Sequence, residues 1–190
     1  MRLLLTCFAL LSLALLGWTA LACASMLVQQ SPEQLGTQSD VVVLGRVEGS
    51  QSYWNDQHTK VYTRVRIAVD QTYKGTPGTR LELVQLGGTV GPLQVTAHGA
   101  PTWRVGEEVL VFAERGKAGE FRVSGFSQGK FGIVRDARTG EARVLAPRVE
   151  STRLLGGPSN AAAREAGPGV PLDEFIDHAL GRTWGQGVDR

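Results

Sequence analysis

The sequence predicts a mainly β domain, closed as a small antiparallel barrel, with a short N-terminal helix and an amphipathic C-terminal helix. Three observations carry this expectation. Val61 to Tyr73 alternates apolar and polar residues, the period-two mark of a strand with one face in a core and the other in water. Roughly seven or eight short apolar runs follow one another with turn signals and almost no helical stretch between them. The chain has 24 glycines in 190 residues, which suits many turns. Closing such a sheet into a barrel protects its edges, and a long amphipathic strand can serve both sides of the closure. An immunoglobulin-like sandwich is the rival, and it wants more evenly spaced strands.

The elements follow in order. Ser31-Pro32-Glu33-Gln34 reads as a helix start: Ser31 caps free amides, Pro32 suits the first helical position and Gln34 reaches back. The helix stops by Asp40, where Val41 to Val47 begins a β run in which Gly45 signals a bulge or bend. Gly49 to Thr59 reads as a polar loop tipped by Tyr53 and Trp54. In the long strand after it, Val61, Thr63, Val65, Ile67 and Val69 face one way; Tyr62, Arg64, Arg66 and Asp70 face the other. Lys74-Gly75-Thr76-Pro77-Gly78 is a turn. Arg80 to Leu86 is a strand, Gly87 to Pro92 breaks it, and Leu93 to Ala97 is a short strand. Glu108 to Ala113 reads as a strand buried on both faces, Phe121 to Phe126 and Lys130 to Arg135 as two more, and Asp136 to Gly140 as a hairpin turn into Ala142 to Ala146. Gly156 to Gly169 has linker composition. Leu172, Phe175, Ile176, Ala179 and Leu180 then fall on one helical face, and Gly181 ends the helix.

The first 22 residues read as an export signal. Arg2 precedes the uncharged apolar run Leu3 to Leu16, and Ala20-Leu21-Ala22 supplies the small-x-small pattern of signal peptidase sites. An uncleaved anchor is the alternative; a span needs about 20 apolar residues. The expected organisation is therefore a signal peptide at 1–22, a β barrel at 23–150, a linker at 151–170, and a helix with its tail at 171–190. Of the two cysteines, Cys7 lies in the apolar run. The mature chain then keeps at most Cys23 and forms no internal disulfide, so its core alone must stabilise it. About 165 remaining residues suffice for that.

Cys23 directly follows Ala20-Leu21-Ala22 and has three readings. It resembles the acylated cysteine of a bacterial lipoprotein signal, with Ala22 fitting the position before it and Ala20 departing from the large aliphatic residue three places before. Cleavage before Cys23 by an ordinary signal peptidase instead leaves a free thiol and α-amino group. Cleavage after Ala24 removes Cys23 altogether.

The order of further segments carries a second resemblance. Cys23 is followed by Ser39-Asp40-Val41-Val42-Val43-Leu44-Gly45-Arg46-Val47, the Tyr62 to Tyr73 strand with Lys74-Gly75, and Gly106-Glu107-Glu108-Val109-Leu110-Val111-Phe112. This resembles the netrin-like modules and tissue inhibitors of metalloproteinases over roughly Cys23 to Phe126, and implies an OB-type barrel. The family's disulfides and Cys-x-Cys start are absent, since Ala24-Ser25 follows Cys23. The resemblance implies an inhibitor in which the free α-amino group and carbonyl of Cys23 ligate a protease's zinc. Ala24, Ser25 and Met26 would lie in the substrate cleft, with Gly87, Gly88, Thr89 and Val90 as a neighbouring ridge. Acylation of Cys23 removes that ability.

Other constellations point to binding rather than catalysis. Gly87-Gly88-Thr89-Val90-Gly91 lacks the lysine and hydroxyl residue of a phosphate loop and reads as a tight turn or bulge. His58, His98 and His178 lie far apart; Asn55, Asp56 and His58 read as a solvated loop. Glu107 and Glu108 point to opposite faces if extended. Tyr53, Trp54 and Trp103 are rim aromatics that either bind a partner or cap the barrel ends. The net charge of +2 argues against a nucleic-acid partner despite Tyr62, Arg64 and Arg66. The expectation is an exported, non-enzymatic module without a cofactor, periplasmic, outer-membrane-associated or secreted. It binds an envelope or secreted protein, such as a zinc metalloprotease, and meets membrane only through a lipid on Cys23. A structural envelope lipoprotein and a hydrolase with an unrecognised site are the alternatives.

Overall fold

The computed structural model describes residues 29–145 and 169–182. The expected export segment, with Cys23, Ala24, Ser25 and Met26, most of the expected linker, and the tail lie outside the described residues. Helix α1 spans Pro32–Gln38. Strands follow as β1 Val41–Trp54, β2 Val61–Lys74, β3 Arg80–Leu86, β4 Gly88–Val90, β5 Leu93–Val95, β6 Glu108–Arg115, β7 Phe121–Val123, β8 Lys130–Arg135, β9 Ala142–Leu145 and β10 Val170–Pro171. A 3₁₀ turn, Phe126–Gly129, precedes β8, and helix α2 spans Leu172–Ala179.

The fold is mainly β, built on one eight-stranded sheet with β4 and β5 as a separate hairpin. β1 is a partner of both β2 and β6. β2 pairs with β3, and β6 with β7, all antiparallel; β3 and β7 then meet parallel at the single bridge Leu83–Phe121. The sheet is thus mixed, not purely antiparallel as expected. The reason is parity. Five strands whose pairings return to their start cannot all alternate direction, so one contact must be parallel.

Two hydrophobic cores lie on either side of β1 and β6. Val41, Val43, Val47, Val109 and Val111 face the first core, together with Val65 and Ile67 of β2 and Leu81 and Leu83 of β3. Val42, Leu44, Leu110 and Phe112 face the second, which α1 and α2 cover with Leu35, Leu172, Ile176 and Ala179. This explains why Val41–Leu44 and Val109–Ala113 are buried without alternation: both faces of these strands leave water. Over Val61 to Ile67, β2 borders the first core alone and alternates as expected; only near its end does Tyr73 pack against the second.

Local chemistry sets the ends. Ser31 Oγ accepts from the Gln34 backbone N–H while Gln34 Oε1 accepts from Ser31 N–H, the reciprocal box read from the sequence. The register of β1 against β2 shifts at Leu44/Gly45, so Gly45 does mark an irregularity. All five apolar residues expected on the α2 face pack into the second core.

Three segments depart from expectation. Gly49–Trp54 is not loop but the outer half of β1, paired with Val61–Arg66. Gly49–Trp54 contributes to neither core and so carries no hydrophobic period; the backbone ladder and cross-strand pairs such as Ser52–Thr63 (2.9 Å) hold it to β2. Gly88–Val90 is a strand rather than a tight turn. Its hairpin lies on this β1–β2 ribbon, where Thr89 N–H donates to Ser52 Oγ (3.1 Å) and Thr63 Oγ1 donates to Gly87 O (2.7 Å). Finally, β7 ends at Val123, because Gly125 and Phe126 both take left-handed backbone (φ 62° and 60°) that a strand cannot contain.

Candidate functional site

A groove of about 540 Å³ crosses the face turned away from the first core. Strand alternation builds its floor. Leu81 and Leu83 point into the core, so Val84 and Leu86 point out of it. Leu86 stands opposite Tyr62 on β2, and Glu114 on β6 stands opposite Arg122 on β7. β3 and β7 share one bridge and then part, and the connection 97–101 enters the gap. Ser127 N–H donates to Gly99 O (2.8 Å), and Gln85 Nε2 donates to Pro101 O (3.2 Å).

Two large apolar side chains stand in water here. Leu86 is 48% and Phe126 58% exposed. Phe126 packs at the lip beside Gly99, whose added Cβ would lie 3.7 Å from the Phe126 Cβ. A bulky residue in the left-handed region costs about 1–2 kcal/mol. An exposed ring held in a strained backbone is a feature that folding alone does not call for, and such strain clusters at functional surfaces.

The rim aromatics are not gathered into one cluster. Tyr53 sits 6.2 Å from Tyr62, with the Arg64 guanidinium 5.3 Å from its ring, so it adjoins the groove through Tyr62. Trp54, next along the strand and so on its other face, stacks with His58 at 6.2 Å. Both lie on a strand rather than in the expected loop. Trp103 packs against the first core, and its Nε1–H donates to Gln85 Oε1 (2.8 Å). Gln85 thereby ties Trp103 to Pro101 and fixes the groove floor from beneath. The Lys130 ammonium lies 5.0 Å from the Trp103 ring and pairs with Glu107 at 2.8 Å. Glu108 points the other way, to Arg46 and Arg135.

Gly88 lies where a side chain would strike Thr63 Oγ1 and Ser52 Oγ, at 2.2 and 2.3 Å from its added Cβ. The glycine pair therefore seats the β4–β5 hairpin on the ribbon. The Asn55 carboxamide is engaged in its own turn, accepting from the Thr59 and Lys60 amides at 2.8 Å each. Among the described residues, no group of three or more His, Cys, Asp or Glu side chains could hold a metal ion. No helix there is long and apolar enough to cross a membrane. Near the groove, Glu120 is held below the usual carboxylate range by its own backbone N–H, with Arg122 adding to the effect. The groove offers apolar surface and separated charges, which suit recognition.

Sequence reading missed this groove. Its signal was the outward face of β3, which turns from Arg80 and Glu82 to Val84 and Leu86. No family model matches the chain, and no curated protein matches it.

Proposed function

We propose that the chain is an exported, non-enzymatic protein-binding module of the bacterial envelope, and that the groove is its recognition surface. The observation that carries this reading is the pair of exposed apolar side chains, Leu86 and Phe126, on a concave face. The architecture is an OB-type, netrin-like barrel in this proposal. The pairing circuit β1–β2–β3–β7–β6–β1 supports it, as does the core of strand-borne valines and leucines inside that circuit.

A photo-reactive phenylalanine analogue at position 126 tests the surface in cells producing the full chain, with the same group at exposed Arg138 as control. Adducts from 126 and none from 138 are expected. A folded protein with no adduct from 126 overturns the groove reading. Cys23 divides the proposal further. Acylated, it makes an anchored lipoprotein; free, it supplies the amine and carbonyl of a zinc-directed inhibitor.

A further inference from the structure

We propose that the groove takes an extended peptide segment presenting an acidic side chain, two large apolar side chains and a basic side chain at successive alternate positions. This rests on the reading of the groove as a protein-binding surface and adds the chemistry of the partner. Lys60 and Glu114 both line the groove, from strands three steps apart in the pairing circuit, and neither makes an ion pair among the described residues. Arg122, opposite Glu114, is already taken by Glu120. Between the two free charges lie Leu86 and Phe126.

The spacing fits one conformation. From β2, which Lys60 precedes, to β6, which carries Glu114, the path crosses β3 and β7. That is three inter-strand steps, or about 14 Å at the usual strand separation. Along the strands, Glu114 lies one residue beyond the Leu83–Phe121 bridge and Lys60 five residues beyond it in the same direction; the offset of four residues adds about 13 Å at right angles, so the two charges stand about 19 Å apart. In an extended peptide, residues i, i+2, i+4 and i+6 share a face and span about 20 Å. An acidic residue at one end then meets Lys60, a basic residue at the other meets Glu114, and the two side chains between them lie over Leu86 and Phe126. A nucleic acid fits less well, because Glu114 would face its phosphates and Arg122 is already paired with Glu120.

Fluorescence anisotropy on the full chain tests this with the labelled nonapeptide Ser-Glu-Thr-Phe-Thr-Phe-Thr-Lys-Ser. Controls replace both Phe by Ala, or make both charges acidic or both basic. Like-charged controls are used because a peptide of reversed charge order can bind in the opposite direction. The mixed-charge peptide is expected to bind at least about tenfold more tightly than each control, and Glu114→Lys to shift the preference to the doubly acidic peptide. Equal affinity for the three charge patterns, no binding, or tighter binding of an oligothymidylate overturns the proposal. Photo-adducts at position 126 together with failed peptides would reject the charge order alone; loss of both would reject the groove as well.

Discussion

Gly36 of α1 lies against the backbone of Ala179 of α2, so close that a Cβ at position 36 would sit 1.8 Å from the Ala179 carbonyl oxygen. The two helices that cover the second core meet at this point. Opposing effects decide what Gly36→Ala does. Alanine favours an exposed helix by about 1 kcal/mol over glycine. Here the added methyl meets backbone, which cannot rotate away, and overpacking costs about 1–3 kcal/mol. The clash is expected to win, lowering the urea midpoint. An unchanged or raised midpoint would show that the helices separate freely.

Asp136 gives the protein an acid-sensitive turn. Its carboxylate accepts from the backbone N–H groups of Thr139 and Arg138, at 2.9 Å each, which hold its pKa below the usual aspartate value of 3.8. A depressed folded-state pKa contributes stability above the unfolded value and loses it as pH falls through the folded value. Unfolding midpoints measured from pH 5 to pH 2 should therefore decline more steeply for the parent than for Asp136→Asn. Parallel curves would mean that the turn does not depend on the charge.

Trp103 reads as a support for the groove. Replacing it by Phe keeps most of the ring but removes the donor to Gln85 Oε1, leaving a partly buried acceptor unpaired. Such a loss costs about 1 kcal/mol, and Gln85 is then free to release Pro101. Denaturant unfolding measures the first effect, and weaker photo-cross-linking from position 126 the second. A Trp103→Phe protein with parental stability and adduct yield would sink this role.

Much of the fold is legible in the chain because local rules and burial agree there. The Ser31–Gln34 box, the alternation of β2, the unbroken apolar run of β6 and the stripe of α2 each satisfy their own period and their own core. The outer half of β1 was hidden because it borders no core, so Ser50, Gln51 and Ser52 look like loop residues. The parallel Leu83–Phe121 contact follows from a circuit of five strands, which no window of sequence contains. The groove is half legible: Val84 and Leu86 break the charged outer face of β3, but Phe126 arrives beside Gly99 only through the long path of the chain.

Phe126 separates binding from stability. Glycine at this position removes the left-handed strain of about 1–2 kcal/mol and adds chain entropy to the unfolded state, about 0.5–1 kcal/mol in the other direction. Phe126→Gly is thus expected to match or slightly exceed parental stability, whereas truncating a buried phenylalanine costs about 3–5 kcal/mol. Partner capture through a photo-reactive group at Leu86 should fall sharply in the same variant. A large loss of stability would make Phe126 a core residue and remove it from the groove's function.

The fate of Cys23 predicts a mass. Intact mass with N-terminal fragmentation, on protein from membrane and soluble fractions, distinguishes the readings of Ala20-Leu21-Ala22-Cys23. Diacylglycerol and an amide-linked acyl chain on Cys23 would make the protein an anchored lipoprotein, and the blocked amine could no longer reach a zinc ion. An unmodified Cys23 as first residue leaves amine and carbonyl available, and inhibition of secreted zinc proteases should then disappear in a chain beginning one residue earlier. A chain starting at Ser25, or an intact Met1, rejects both cysteine chemistries and leaves recognition to the groove alone.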